Sequence, residues 1–205
     1  MGKRDDLIRG ALAAFARDGY ARARITDIAL EANVSTRTIY NQFTDKPGLF
    51  GAVVEHVADE FVSQRLRTIE DELGAAGPVE DVMVRFAVRW LEQSSQLSIY
   101  LQLARRIELE RAEIPQAILD RGLEAGPARV QRAVQLRMES FMHAGQLRQG
   151  DPHVAALHLL QLIEGVPEIR GYYSASPLSD TELAGIAKQS VRAFLYGHAA
   201  GSIAE

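Results

Sequence analysis

The chain has 205 residues, of which 47% are hydrophobic and 24% are charged, and this composition is typical of a globular protein rather than a disordered one. It contains no cysteine, which excludes a disulfide framework, a thiolate zinc site, an iron–sulfur cluster and a cysteine nucleophile. No apolar run approaches the length of about 20 residues that a transmembrane helix needs. Since the N-terminal residues also lack the pattern of a signal peptide, we expect a cytoplasmic protein with no membrane partner.

The net charge of −4 is distributed unevenly along the chain. Residues 1–50 carry 8 basic and 6 acidic side chains, whereas residues 51–205 carry 15 basic and 21 acidic ones. This asymmetry is compatible with a nucleic-acid-binding N-terminal part attached to a body that binds something else.

Apolar residues recur at helical spacing through most of the chain, and no segment alternates as a strand would, which predicts an all-α fold. The predicted helices carry, in chain order, the apolar faces Ile8, Ala11, Leu12 and Phe15; Leu49, Val53, Val57 and Phe61; Val79, Val82, Met83, Phe86, Ala87 and Trp90; Leu97, Tyr100, Leu101, Ala104 and Ile107; and Val130, Ala133, Val134, Met138, Phe141 and Met142.

The last two helices have the clearest starting signals. Asp151 precedes a proline and can cap a helix, and Ser179 with Glu182 forms a capping box. These signals predict helices near 152–166 and 180–198. Clusters of glycine and proline predict loops, which we place at 74–78, 145–152 and 165–177.

Residues 25–43 have the pattern of two short helices joined by a tight turn. Thr26 can cap the first helix and Ser35 the second, while Asn33 stands at the turn as one of the few non-glycine residues that tolerate a positive φ. The inner faces carry Ile28, Ala29 and Ala32 on the first helix and Ile39 and Phe43 on the second. The segment therefore predicts a helix-turn-helix, which together with the first predicted helix makes an N-terminal three-helix unit.

The outer face of the second helix consists of Thr36, Arg37, Thr38, Tyr40 and Asn41, all of which can form hydrogen bonds and none of which is acidic. Such a face suits a helix in the major groove of DNA, where Arg37 can read guanine and Asn41 adenine. Tyr40 suits a phosphate contact through its hydroxyl. A helical hairpin with a merely solvated polar face is the alternative for the spacing alone.

Residues 4–50 resemble the DNA-binding domain of the TetR family of bacterial transcriptional regulators. The resemblance rests on Phe15, Gly19, Tyr20, Thr26, Asp27, Ile28, Ala29, Ala32, Val34, Ser35, Thr38, Ile39, Tyr40, Phe43, Lys46 and Leu49. Two departures are Asn33, where the family usually has glycine, and Pro47-Gly48, where it prefers better helix formers. The C-terminal body resembles, through segments such as 103–106 and 145–148, a subclass that regulates efflux and stress genes.

The resemblance implies a homodimeric repressor that binds a palindromic double-stranded DNA operator and is released by a small-molecule effector of unknown identity. It implies a DNA-binding domain at 1–48 and a larger helical ligand-binding and dimerisation domain at 49–205. The residues that match family DNA contacts are Thr26, Tyr40 and Lys46 for phosphate, and Ser35, Thr36, Arg37, Thr38 and Asn41 for the recognition helix.

The predicted helix 152–166 is apolar almost all round and needs cover on both sides. We expect it to form, with the helix 180–198, a four-helix interface in the dimer; a monomer with a central helix is the alternative. The interface residues we expect are Leu159, Leu160, Ile163, Val191, Phe194 and Leu195.

A ligand pocket is expected among the helices near 79–142, because aromatic and methionine side chains suit an adaptable apolar cavity. The candidates are Phe86, Trp90, Tyr100, Met138, Phe141, Met142, His143 and Gln161, each of which can equally belong to the core. His158, Gln161 and Glu164 form a polar line that suits the polar group of a ligand, the pocket rim or the dimer seam.

No zincin, nucleophile-elbow, P-loop or dinucleotide-binding motif occurs, so we expect neither an enzyme nor a metal site nor a cofactor. The sequence thus favours a ligand-responsive DNA-binding regulator. The alternatives are a helical small-molecule-binding protein that no longer reads DNA and a helical enzyme, which no residue pattern supports.

Overall fold

The computed structural model describes residues 3–96, 98–173 and 178–198, and every regular element in these ranges is a helix. The all-α prediction is confirmed. The helices are α1 (Lys3–Arg22), α2 (Ile25–Glu31), α3 (Thr36–Gln42), α4 (Lys46–Leu73), α5 (Val79–Gln96), α6 (Ser98–Leu109), α7 (Gln116–Ala125), α8 (Pro127–His143), α9 (Pro152–Tyr173) and α10 (Asp180–His198). Leu97 and residues 174–177 of the predicted loop lie outside the described residues.

The chain divides into two compact units, and neither is continuous in sequence. Unit 1 comprises residues 1–63 and 97–128, and unit 2 comprises 64–96 and 129–205. Since α6 packs on α1 and both α6 and α7 share a hydrophobic core with α1 to α4, these units differ from the functional division at residue 48, which stays a prediction.

Unit 1 is held by one hydrophobic core that joins α1 to α4 with α6 and α7. Phe15 of α1 is fully buried and meets Phe50 of α4 edge to face, with ring centroids 4.8 Å apart. Leu103 and Ile118 add side chains from α6 and α7 to the same core. Edge-to-face aromatic pairs contribute about 0.5–1.5 kcal/mol beyond their buried area, so this pair fixes α1 against α4.

Unit 2 packs α10 against both α5 and α9. Its interior holds Arg65, which is only 1% exposed and donates through Nη1 to the backbone oxygen of Trp90 at 2.7 Å. The guanidinium also lies 3.8 Å from the centroid of the Trp90 ring, and the indole Nε1 donates to Glu164 at 2.7 Å. Burial lowers the pKa of Arg65 to about 10, while the nearby Glu164 charge acts in the opposite direction.

Both predicted capping signals of the last two helices are confirmed. The Asp151 carboxylate accepts from the backbone N–H of His153 at 2.8 Å. Glu182 accepts from the backbone N–H of Ser179 at 2.9 Å, and the Ser179 hydroxyl accepts from the Glu182 N–H at 3.4 Å. These contacts satisfy N–H groups that the first turn of a helix leaves unpaired.

Two predictions about elements were wrong. Residues 165–173 are helical rather than a loop, because α9 continues through Pro167 to Tyr173. The prediction also missed α7, where Gly122 interrupts a short apolar pattern. No helix in the described ranges is both long and apolar enough to cross a membrane.

Candidate nucleic-acid interface and adjoining cavity

A tight turn between α2 and α3 sets the angle of the two helices. Asn33 has φ of 53°, in the left-handed region that the sequence predicted for it. The N–H of Val34 donates back to the oxygen of Ala29 at 2.9 Å and closes the turn. Asparagine adopts this backbone at low cost, so it replaces the glycine usual in the family.

The α3 helix begins with the predicted serine cap. The Ser35 hydroxyl accepts from the backbone N–H of Thr38 at 3.1 Å, and the two side-chain hydroxyls lie 2.8 Å apart. Ile39 is fully buried and Phe43 nearly so, which anchors the inner face of the helix in the core of unit 1. The outward direction of α3 is therefore fixed by its own core residues.

The predicted DNA-contacting residues of α3 lie together on its outer face. Ser35, Thr36, Arg37, Tyr40 and Asn41 are exposed, while Thr38 is half-buried. The carboxylate nearest in sequence on α2, Glu31, is paired with Arg17 at 2.6 Å. The outer face of α3 thus presents donors and one guanidinium to a nucleic acid and no carboxylate of its own.

Thr26 does not cap α2, contrary to the prediction. Arg24 occupies the N-cap position and makes no side-chain capping bond, and Thr26 is already inside the helix. Its exposed hydroxyl donates to Asp27 at 3.3 Å instead. It therefore stands in the first turn of α2, where a backbone N–H or a hydroxyl can still meet a phosphate.

Lys46, the predicted phosphate contact, begins α4, and its side chain contacts the end of α1. Its Nζ donates to the backbone oxygen of Ala21 at 3.0 Å and lies 5.0 Å from the centroid of the Tyr20 ring. Partial burial lowers the pKa of Lys46, and the Glu110 carboxylate opposes this effect. The Tyr20 ring in turn meets Phe50 at 4.8 Å between centroids.

The end of α1 is bound by α6 and the turn after it. Helical geometry breaks at Gly19, whose φ of 82° and ψ of 170° lie outside the helical region. Beyond this break, the N–H of Ala21 donates to the Glu110 carboxylate at 2.8 Å. Arg106 donates to the backbone oxygen of Arg17 at 2.7 Å, so two charged side chains hold the exposed carbonyl and N–H of this end.

A cavity of about 300 Å³ lies between α4, α6 and α7 within unit 1. Its walls are mostly apolar and include Phe50, Val54, Phe61, Leu103, Ile107 and Ile118. Gly122 lets α7 approach closely, because a Cβ there would lie 2.6 Å from Cγ1 of Val54. The cavity shares Phe50 with the aromatic contacts beneath the helix-turn-helix.

The polar groups that line the cavity are Tyr100, Arg111 and Asp120. The Tyr100 hydroxyl donates a hydrogen bond to the Glu60 carboxylate, and the other oxygen of that carboxylate lies 3.7 Å from Nε2 of His56. Burial, with the Glu60 hydrogen bond and charge, raises the pKa of Tyr100 to about 12. Asp120 accepts from the amide of Gln116 at 2.7 Å.

The predicted pocket residues do not come together as expected. Tyr100 lines the cavity, but five of the others belong to the buried core of unit 2, namely Phe86, Trp90, Met138, Phe141 and Met142. His143 and Gln161 are exposed. Helical spacing shows which side chains face inward, yet it does not distinguish a filled core from a void.

The predicted interface residues are also mostly interior. Leu159, Ile163, Val191 and Phe194 are at most 1% exposed within the chain, which leaves Leu160 and Leu195 partly accessible. The apolar side chains that α9 exposes are Val154, Leu157, Leu162 and Val166, each at least 36% accessible. The polar residues His158 and Glu164 of α9 have different partners. Nδ1 of His158 lies 3.0 Å from Nε2 of His198, whereas Glu164 accepts a hydrogen bond from Trp90.

Sequence reasoning missed Phe50, Arg106 and Glu110, which connect α4 and the α6 segment to the end of α1. The apolar i, i+4 pair of Phe50 and Val54 was a signal for an inward face at the start of α4. No comparable pattern marked the two charged residues, whose partners are backbone atoms about 90 residues away.

Comparisons with known proteins agree with this geometry. The sequence model of the tetR family of bacterial regulatory proteins matches residues 7–53, and that of the AefR-like transcriptional repressor C-terminal domain matches residues 94–199. The HTH-type transcriptional regulator HbdR of Aromatoleum sp. (strain CIB) is 36% identical over 78 residues. That stretch is 38% of this chain and spans only 33% of HbdR.

Solved structures match over nearly the whole chain. A TetR-family transcriptional regulator from Mesorhizobium loti MAFF303099 has a TM-score of 0.83 and 29% identity, with 96% of each chain covered. The flavonoid-responsive regulator FrrA has a TM-score of 0.72 and 22% identity, with 98% of each chain covered.

Proposed function

The chain belongs to the TetR family of bacterial transcriptional regulators, and from that premise we propose that it is a DNA-binding repressor controlled by a small molecule. In this proposal a homodimer binds a palindromic operator through α3, and an effector in the cavity of unit 1 releases it. The observation that carries the proposal is that Phe50 lines the cavity and also packs on Tyr20, directly beneath Lys46.

Operator reading is assigned to the outer face of α3. Arg37 is exposed and suits the O6 and N7 acceptors of guanine, and Asn41 suits adenine. Lys46, Tyr40 and Thr26 are assigned to phosphate contacts, and Ser35, Thr36 and Thr38 are assigned to the recognition helix together with Arg37 and Asn41. Phosphate contacts fix the position of the helix, whereas base contacts choose the sequence.

Two connections carry the response from the cavity to the helix-turn-helix within unit 1. The first runs from the cavity through Phe50 and Tyr20 to Lys46. The second runs along α6, where Leu103 and Ile107 face the cavity while Arg106 holds the end of α1. An occupant that displaces α6 or Phe50 therefore changes the support of a DNA contact. FrrA, which is flavonoid-responsive by name, supports an effector-controlled regulator.

The second copy of the chain is assigned to the exposed face of α9. Leu157 and Leu162 lie on that face, together with His158 and Gln161, whereas Leu159 and Ile163 face the core. A homodimer buries these apolar side chains and supplies the two reading heads that a palindrome requires. Leu162→Glu should shift sedimentation toward the monomer, and Leu136→Glu, on a still more exposed leucine of α8, should not.

The function is tested by selection from a random duplex DNA library. We expect an enriched palindrome with half-sites about one helical turn, roughly 34 Å, apart. If selection enriches nothing even after denaturation, removal of small molecules and refolding, the operator-reading proposal is wrong, and a binding protein that no longer reads DNA takes its place.

Substitutions in the predicted DNA-binding domain separate base recognition from phosphate binding. Arg37→Ala should relax the preference at one base position, at a cost of about 1–3 kcal/mol for the preferred base. Lys46→Ala should weaken all sequences alike and reduce the salt slope by about one. Lys188→Ala removes the same charge from α10, outside the DNA-binding domain, and should change neither the affinity for DNA nor the salt slope. Unchanged specificity in Arg37→Ala would contradict the assignment of α3.

A further inference from the structure

The chemistry of the unit 1 cavity limits the class of molecule that it can accept, and the following step rests on the proposed function. Phe50 and Leu103 are each 1% exposed, so one end of the cavity is closed by carbon atoms. Leu123 is 56% exposed and lines the same cavity, so another part of the wall meets solvent. An occupant must therefore bury an apolar part and can keep one end near water.

The interior offers little to a charged group. The Tyr100 hydroxyl already donates a hydrogen bond to Glu60. The hydroxyl is neutral at physiological pH, far below its pKa, which is raised to about 12. Burying an ion among the apolar walls without a partner would cost several kcal/mol, by the general magnitude for unpaired buried charges. A formal charge on the occupant therefore belongs at the solvent side.

Arg111 and Asp120 are the charged residues of the cavity wall, and both are exposed. Asp120 is engaged by the Gln116 amide at 2.7 Å. Arg111 has no hydrogen bond or ion pair with any residue that the structure describes. A guanidinium can form two parallel hydrogen bonds with a carboxylate, so the rim offers an available site for an anion.

We propose that the cavity binds a small amphipathic monoanion, whose apolar part lies between α4, α6 and α7 and whose carboxylate is bound by Arg111. The closed apolar end determines the orientation, because the ion cannot enter it. An uncharged apolar molecule would use the same walls without Arg111, and an amine would be repelled by it. The three classes thus differ at the two charged residues of the rim, since the Asp120 carboxylate would attract the amine that Arg111 repels.

Isothermal titration calorimetry with octanoate, 1-octanol and octylamine tests this inference on the full-length protein. The three probes share one alkyl chain and differ in the charge of the head group. We expect octanoate to bind about tenfold more tightly than 1-octanol, which corresponds to about 1.4 kcal/mol, and octylamine to bind most weakly.

Three variants locate the binding site and the origin of the preference. Arg111→Ala should remove the advantage of octanoate over 1-octanol, whereas Arg105→Ala, an exposed arginine of the same helix that does not line the cavity, should keep it. Ala104→Trp should weaken all three probes, because Ala104 is part of the wall. Residues 104, 105 and 111 are all exposed, so we expect the three variants to fold, and circular dichroism checks this.

The outcomes separate this inference from the proposed function. If 1-octanol or octylamine binds as tightly as octanoate, or if Arg111→Ala keeps the preference, the anion assignment is wrong while the cavity stays an effector site. If no probe binds, or if Ala104→Trp changes none of the affinities, the cavity is not an effector site, and the effector part of the proposed function fails as well.

Discussion

Replacing Gly19 by alanine should destabilise the protein at the junction between the helix-turn-helix and α6. The backbone there has φ of 82° and ψ of 170°, a combination that essentially only glycine adopts. A Cβ at this position would also lie 1.8 Å from Oε1 of Glu110. The substitution therefore strains the backbone and displaces the carboxylate that accepts from Ala21.

The expected magnitude follows from these two effects. A non-glycine residue in this region of backbone space costs about 1–3 kcal/mol. A hydrogen bond to a charged group contributes about 1.5–3 kcal/mol, and the lower end applies because this pair is exposed. We expect Gly19→Ala to lower the free energy of unfolding by about 3 kcal/mol.

Urea unfolding at a fixed protein concentration measures the change, with Gly185→Ala as the control. Gly185 is an exposed residue of α10 with open space around it, so alanine there should stabilise the helix by about 0.5–1 kcal/mol. In a Glu110→Ala background, Gly19→Ala should cost less, because only the backbone strain is left. An equal cost in both backgrounds, or a loss below about 1 kcal/mol, would refute the reasoning.

Three smaller effects are expected in the same assay. Asp151→Ala should cost about 1 kcal/mol by removing the cap of α9, while Asp151→Asn should keep most of it, and equal losses would contradict the cap. Because the pKa of Tyr100 is raised, the contribution of its neutral hydroxyl to the free energy of unfolding should be complete up to about pH 10 and should disappear as the pH approaches about 12. Tyr100→Phe should not show this loss. Burial, with His158 and Arg148, lowers the His198 pKa; the folded state then binds fewer protons, so stability should fall as the pH drops below 6.5, less so in His198→Asn.

Local signals along the chain were sufficient to predict the helix-turn-helix and the starts of α3, α9 and α10, although the predicted cap of α2 was wrong. Ser35, Asp151 and Ser179 each form the predicted cap, because capping depends on neighbours within three residues. Pro167 misled the prediction of a loop, since a proline removes one helical hydrogen bond but does not by itself end a helix that packing supports.

The cavity depends on packing between distant segments and was not predictable in the same way. Phe86 and Phe50 are both fully buried aromatic residues on amphipathic helices, yet only Phe50 borders a void. The cavity lies among side chains of α4, α6 and α7, and the whole of α5 separates α4 from α6 in sequence, so no local pattern marks it. Arg106 and Glu110 have backbone partners, and backbone atoms leave no trace in a residue pattern.

The arrangement in unit 1 also limits how strongly an effector can act. A ligand changes DNA binding only through its different affinities for the binding and non-binding conformations. A shift from about 99% of one form to about 99% of the other requires about 5.5 kcal/mol. The contacts of Arg106, Glu110 and Lys46 at the end of α1 are hydrogen bonds of charged groups, each of which contributes about 1.5–3 kcal/mol at most. Losing a single one is therefore too small for a complete switch. An occupant that moves α6 together with the start of α4 affects all three, which are exposed and at about 1.5 kcal/mol each supply about 4.5 kcal/mol, most of the required difference.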